Sequence, residues 1–161
     1  MSDAAEDLLK RAGCSRGVVV HCRRVRESAG RFITPCTDRE LVLCGAMLHD
    51  IGRARTHTIG HGQVGAGIAR SFGLREEIAR IIECHVGAGL SADECTLLRL
   101  LPRDCVPASL EERTVAHADN MVQGTDICTL PTAVIAATFL KRRVRRRMYH
   151  LALEMEECRR S

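Results

Sequence analysis

Apolar residues recur along this chain at intervals of three and four, between short stretches rich in Gly, Pro, Thr and Asp. That period predicts amphipathic helices. Asp3 to Ala12 reads as a short helix with Leu8 and Leu9 inward, closed by Gly13. From Ser15 to Ala29 two patterns compete. Val18-Val19-Val20 suits a strand, but Val18, Cys22 and Val25 recur at helical spacing opposite Arg23, Arg24, Arg26 and Glu27. A helix is expected there, with His21 turned inward beside the apolar stripe. Thr37-Asp38-Arg39-Glu40 has capping-box form. It opens a helix with Leu41, Cys44, Gly45 and Leu48 on one face, which ends at His49-Asp50.

Residues 51–60 form a basic connection bounded by glycine. The helix expected over His61 to Phe72 is built from small residues: Gly62, Gly65, Ala66, Gly67 and Ala69 would admit a close neighbour. Three glycines weaken its propensity, so packing must hold it. Leu74 to His85 carries Ile78, Ile81, Ile82 and His85 on one face. Two further capping boxes follow. Ser91 to Glu94 opens a helix to about Leu101; Ser109 to Glu112 opens one with Val115, Ala118, Asp119 and Val122 on one face, closed by Gly124. Pro131 suits the first turn of a last helix whose stripe is Ala137, Leu140, Val144, Met148, Leu151 and Met155. No repeat and no credible sheet is visible. The expected fold is all-α, a compact helical bundle in a single domain over residues 1–161. Its core lies at about 15–125, and a long C-terminal helix over about 131–159 packs on the core or extends it.

Composition changes this picture in three places. Aromatic content is 2%, with no Trp and one Tyr, so the core is aliphatic and base-stacking single-strand modules lack their platforms. The nine cysteines are odd in number and contain no CxxC. They read as reduced, buried thiols of a cytoplasmic protein, with Cys44 and Cys84 foremost as core fillers. No leader pattern or apolar run suited to a membrane is present. The net charge of +4 owes much to Lys141 to Arg147, which reads as a solvated helix face.

Three helices each place one ionisable residue on an apolar face: His21, His85 and Asp119. His49-Asp50 stands at the end of a fourth. Burying an unpaired carboxylate costs several kcal/mol, so Asp119 needs a cation or strong donors. Convergence of these residues on one divalent metal satisfies all of them together.

His21, then His49-Asp50, then Asp119 resembles the H…HD…D signature of the HD-domain metal-dependent phosphohydrolases. Gly52 extends the likeness to the His-Asp-Ile-Gly subgroup, and the match runs over about residues 15–125. The chain is most similar to small stand-alone members found in archaea. The resemblance implies that His21, His49, Asp50 and Asp119 hold a divalent metal. In two-metal members further histidines join, with the aspartate of the HD pair bridging; His61 and His85 match those positions. A second histidine often follows the latter, and here it is Val86. His57 would share a face with His61 only if the turn between them is helical. His117, off the apolar face of its helix, is expected at the surface or behind the ligands, and His150 at the surface.

The implied activity is phosphohydrolase or phosphodiesterase chemistry on a nucleotide-like or other phosphorylated small molecule, through a metal-activated water. Asp50 would bridge or orient that water. Arg53, where many members carry lysine, would bind phosphate, with Arg55 a weaker candidate. The cofactor is one or two divalent ions, with Mn, Fe, Co, Ni, Zn and Mg all open. The rival is a nucleic-acid-binding or assembly protein working through Lys141 to Arg147; a third reading is a non-catalytic ligand binder of the same fold. No membrane partner is expected, and the small-residue helix or the last helix could pack a second copy.

Overall fold

The structure is a computed structural model that describes residues 2–160. Nine α-helices lie among the described residues: α1 (Ser2–Ala12), α2 (Arg16–Gly30), α3 (Arg39–Leu48), α4 (His61–Ser71), α5 (Glu76–Cys84), α6 (Ala92–Leu97), α7 (Leu110–Asn120), α8 (Leu130–Ala136) and α9 (Arg142–Arg160). A 3₁₀ turn at Ile51–Ala54 links α3 to the segment before α4. The fold is all-α. One exception to the expected absence of sheet is a hairpin of two-residue strands, β1 (Val122–Gln123) and β2 (Asp126–Ile127). Gly124, expected to close α7, instead makes its tip at φ +63°.

The main core is aliphatic. Leu9, Val25, Val42, Leu48, Ile51, Ile82 and Val115 pack together from α1, α2, α3, α5, α7 and the 3₁₀ turn. Val18 and Val19 are buried on α2, so the valine run serves a helical face. Phe32, Ala116, Leu151 and Met155 form a second cluster that seats α9 on α7.

The three capping boxes meet different fates. Ser91 and Glu94 close theirs reciprocally, with Ser91 N donating to Glu94 Oε2 at 2.9 Å and Glu94 N to Ser91 Oγ at 3.3 Å. Ser109 accepts from Glu112 N, but Glu112 receives the amide of Ala108 instead. At α3 the cap is Asp38, which accepts from Leu41 N at 3.0 Å, while Thr37 turns back to Thr34. Asp38 N donates to Glu111 Oε1, so α7 fills the place expected of Glu40.

The last helix is two. Pro131 does lie in the first turn of α8, but α8 stops at Ala136, a 3₁₀ turn takes Ala137–Phe139, and Leu140 is extended. On the near side of the break Ala133 and Ala137 are buried. Tyr149 Oη donates to Val134 O, and Arg145 caps the carbonyl of Thr138. Leu140, expected in the core stripe, is exposed. Of the cysteines, all free, Cys22, Cys84, Cys95 and Cys105 are buried; Cys44 is only partly so and Cys36 is exposed. No described helix is long and apolar enough to cross a membrane.

Candidate metal centre

Helix ends build the site. His49 follows the last residue of α3 and Asp50 immediately precedes the 3₁₀ turn, so the backbone changes direction between them and the two side chains come together. His85 stands in the same way at the end of α5, His61 opens α4, Asp119 lies in the last turn of α7, and His21 comes from the middle of α2.

The six side chains meet around Asp50. On one side, its Oδ2 lies 3.8 Å from His21 Nε2 and 3.7 Å from His49 Nε2. Asp119 Oδ1 completes that side, 3.0 Å from His21 Nε2 and 3.5 Å from His49 Nε2. On the other, Asp50 Oδ1 lies 3.1 Å from His61 Nε2 and 3.6 Å from His85 Nε2. Two overlapping sets have spacing suited to an ion: His21, His49 and Asp119, and His49, Asp50 and His85.

The imidazoles are oriented from behind. Nδ1 of His21 meets Gly124 O at 2.9 Å, and Nδ1 of His49, His61 and His85 meets the carbonyl three residues earlier, Ala46, Thr58 and Ile82, at 2.7 to 2.8 Å. A carbonyl only accepts, so each Nδ1 carries hydrogen, and each ring in its neutral form aims its Nε2 lone pair into the site. His61 and His85 then face each other, Nε2 to Nε2, at 3.1 Å.

Such an arrangement calls for a cation. Asp50 and Asp119 bring two negative charges, and among the described residues only Arg53, whose Nε donates to Asp50 Oδ2, offers them a fixed positive one. Burial pushes Asp50 up, yet His49 and contacts from His61 and His85 hold its carboxyl far below the ordinary range. Asp119 is lowered in the same way, its burial overcome by His49 and His21. His49 is raised despite complete burial, because Cys22, Asp50 and Asp119 surround it with negative potential. His49 Nε2 and Asp50 Oδ1 are buried without a hydrogen bond, a costly state that a divalent ion at this oxygen and nitrogen donor set relieves.

Gly52 explains how the two halves come together. A Cβ there would stand 1.9 Å from the carbonyl oxygen of His61 and 2.7 Å from Gly65 N. The 3₁₀ turn after Asp50 therefore lies directly on the start of α4, and this is the close approach expected of the small-residue helix. A Cβ on Gly65 would meet Ile82 at 2.7 Å as well as Gly52 N at 3.0 Å, whereas Gly67 faces open space.

Not every expected residue joins. His57 is exposed on a non-helical segment, so it shares no face with His61. Arg55 is exposed. His117, expected at the surface or behind the ligands, is buried against Phe32, ring centroids 4.7 Å apart, and burial pushes it down to about 4. His150 is exposed. Two supports were not foreseen. Gly124 O, at the hairpin tip, orients His21, and Asn120 Nδ2 holds Gly87 O at 2.6 Å just beyond His85. Only the Gly124 turn left a trace in sequence.

The HD-domain family model matches residues 12–122, which contain every one of these six residues. The chain belongs to the HD-domain family. An uncharacterised protein of Methanocaldococcus jannaschii is 48% identical over 118 residues, 70% of each chain. A tRNA (cytidine(56)-2'-O)-methyltransferase of Picrophilus torridus is 41% identical over 125 residues, 76% of this chain but 36% of that one. A Ribonuclease Y of Acidothermus cellulolyticus is 44% identical over 50 residues, 30% of this chain and 10% of that one. The HD chain thus spans about a third of the methyltransferase and a tenth of the ribonuclease. No solved structure matches it.

Proposed function

We propose that this HD protein is a metal-dependent phosphohydrolase that cleaves a nucleotide-like phosphoester with water as nucleophile. One observation carries the reading: Asp50 turns one carboxylate oxygen to His21 and His49 and the other to His61 and His85. That is the disposition of a bridging ligand between two ion positions. His21, His49, Asp50 and Asp119 would hold one divalent ion, and Asp50, His61 and His85 a second. A divalent ion held there lowers the pKa of bound water towards 7 and neutralises phosphoryl charge.

The chain's own groups do the rest. The four carbonyl-anchored imidazoles keep their lone pairs aimed without reorganisation. Asp50 orients the attacking water and accepts its hydrogen bond. Arg53 has Nε committed to Asp50, which leaves its terminal amino groups for a phosphate oxygen at the partly open edge. His49 and His85 close the floor against bulk water. The intact set speaks against a non-catalytic binder. The names of two of these relatives concern tRNA and RNA, which supports nucleotide-like esters as the substrate class.

A panel of phosphomonoesters, linear diesters and cyclic diesters, assayed with Mn²⁺ and then with EDTA, tests this reading. Hydrolysis of at least one member that EDTA abolishes is expected. No turnover of any member with any divalent ion would sink it.

A further inference from the structure

The kink before α9 sets the register in which Arg143, Arg146, Arg147 and His150 line one wall of a groove of about 450 Å³, with Ala88, Val106 and Pro107 opposite. Arg147 is spent inside the fold, on Glu94 and on the carbonyl of Gly89. Arg113, also at the groove, is spent on Glu154, the single carboxylate that lines it. Arg143 and Arg146 are exposed, and neither side chain has a hydrogen bond or ion pair among the described residues. Arg146 and His150 also edge a second hollow of about 360 Å³ beside Arg142 and Arg145. Like charges three and four residues apart cost a helix a few tenths of a kcal/mol each. Nothing described in the fold offsets that cost for Arg143 and Arg146.

We infer that this groove is a docking site for the sugar–phosphate backbone of a nucleic acid, bound by charge and not by sequence. The row from Arg143 to His150 covers seven residue steps, about 10 Å along the helix. That is too long for one phosphate group and suits a chain of them, each neutralised phosphate releasing counterions. A lipid surface fits less well. The apolar stripe of α9, Leu151 and Met155, is already buried against α7, so this helix has no continuous apolar face to enter a bilayer. The groove also runs along the loop that leaves the candidate metal centre, since Ala88 lies three residues past His85. The inference goes beyond the hydrolase reading and does not depend on it.

The test is fluorescence anisotropy with a labelled 20-nucleotide RNA and a DNA of the same sequence, in EDTA, from 50 to 200 mM salt. Wild type and Asp50→Asn should bind at least one strand with equal affinity. Arg143→Gln/Arg146→Gln should bind at least tenfold more weakly at 50 mM salt, with a log–log salt slope shallower by about two. Arg143→Lys/Arg146→Lys should keep most of the binding, and thermal melts should show all variants folded. Binding of RNA, of DNA or of both supports the site and names the strand. Equal binding by the Gln variant, or no binding of either strand by wild type, overturns it, as does capture by phosphatidylserine vesicles without nucleic-acid binding. With no metal present, none of these outcomes bears on hydrolysis.

Discussion

His61 and His85 hold their Nε2 atoms 3.1 Å apart, each with its Nδ1 hydrogen committed to a carbonyl three residues earlier in the chain. Two lone pairs at that separation repel unless a proton or a metal ion is shared there, and Asp50 Oδ1 lies 3.1 Å from the first of them. The pair therefore distinguishes one ion from two. Replacing His85 by Ala should lower the number of Mn²⁺ ions bound per chain by one in isothermal titration. Replacing His21 should remove the other. Identical stoichiometry in both variants and wild type would contradict the two-sided role of Asp50.

Gly52 and Gly67 give opposite predictions from one kind of change. Gly52→Ala places a methyl group 1.9 Å from His61 O, backbone that cannot swing away. It should destabilise the protein by at least about 3 kcal/mol and abolish metal binding. Gly67 lies inside α4, and a Cβ added there would meet nothing within 4 Å. Gly67→Ala should raise stability by about 0.5–1 kcal/mol, measured as a shift in denaturation midpoint.

His117 makes stability depend on acid. Its folded value of about 4 lies below the ordinary 6.5, because burial disfavours the charged ring; Glu156 opposes that effect and Arg159, on the same helix as Glu156, adds to it. Between those values the unfolded chain binds more protons than the folded one, so stability rises with pH through this window and is lost as pH falls through it. The span corresponds to about 3 kcal/mol. His117→Leu should flatten the unfolding free energy between pH 6.5 and 4, read by chemical denaturation at each pH. An unchanged slope would remove His117 as its source.

Much of this was legible in the chain because helical period and helix ends are local signals. Val18, Cys22 and Val25 reported their buried face despite the adjoining valines, and His49-Asp50 marked a helix end where two neighbours can share a cavity. What escaped was set by tertiary contact. Glu111 reaches across from α7 to the amide of Asp38, which no reading of residues 37–40 contains. The stripe from Ala137 to Met155 kept its period across the break at Leu140, since a break preserves which residues are apolar while changing what they touch. His117 looked peripheral because its partner, Phe32, lies on a different segment. The hairpin that anchors His21 is too short to leave an alternating pattern.

Asp50, on this account, sits at the heart of a divalent metal site. The most direct measurement is the metal content of freshly purified wild-type protein by mass spectrometry, beside Asp50→Asn, which keeps the side chain's shape and removes its charge. Near-stoichiometric divalent metal in the wild type, lost in the variant together with at least about a hundredfold of any Mn²⁺-dependent hydrolysis, is the predicted result. Equal metal in both proteins, or none in wild type even after incubation with each divalent ion, would contradict it.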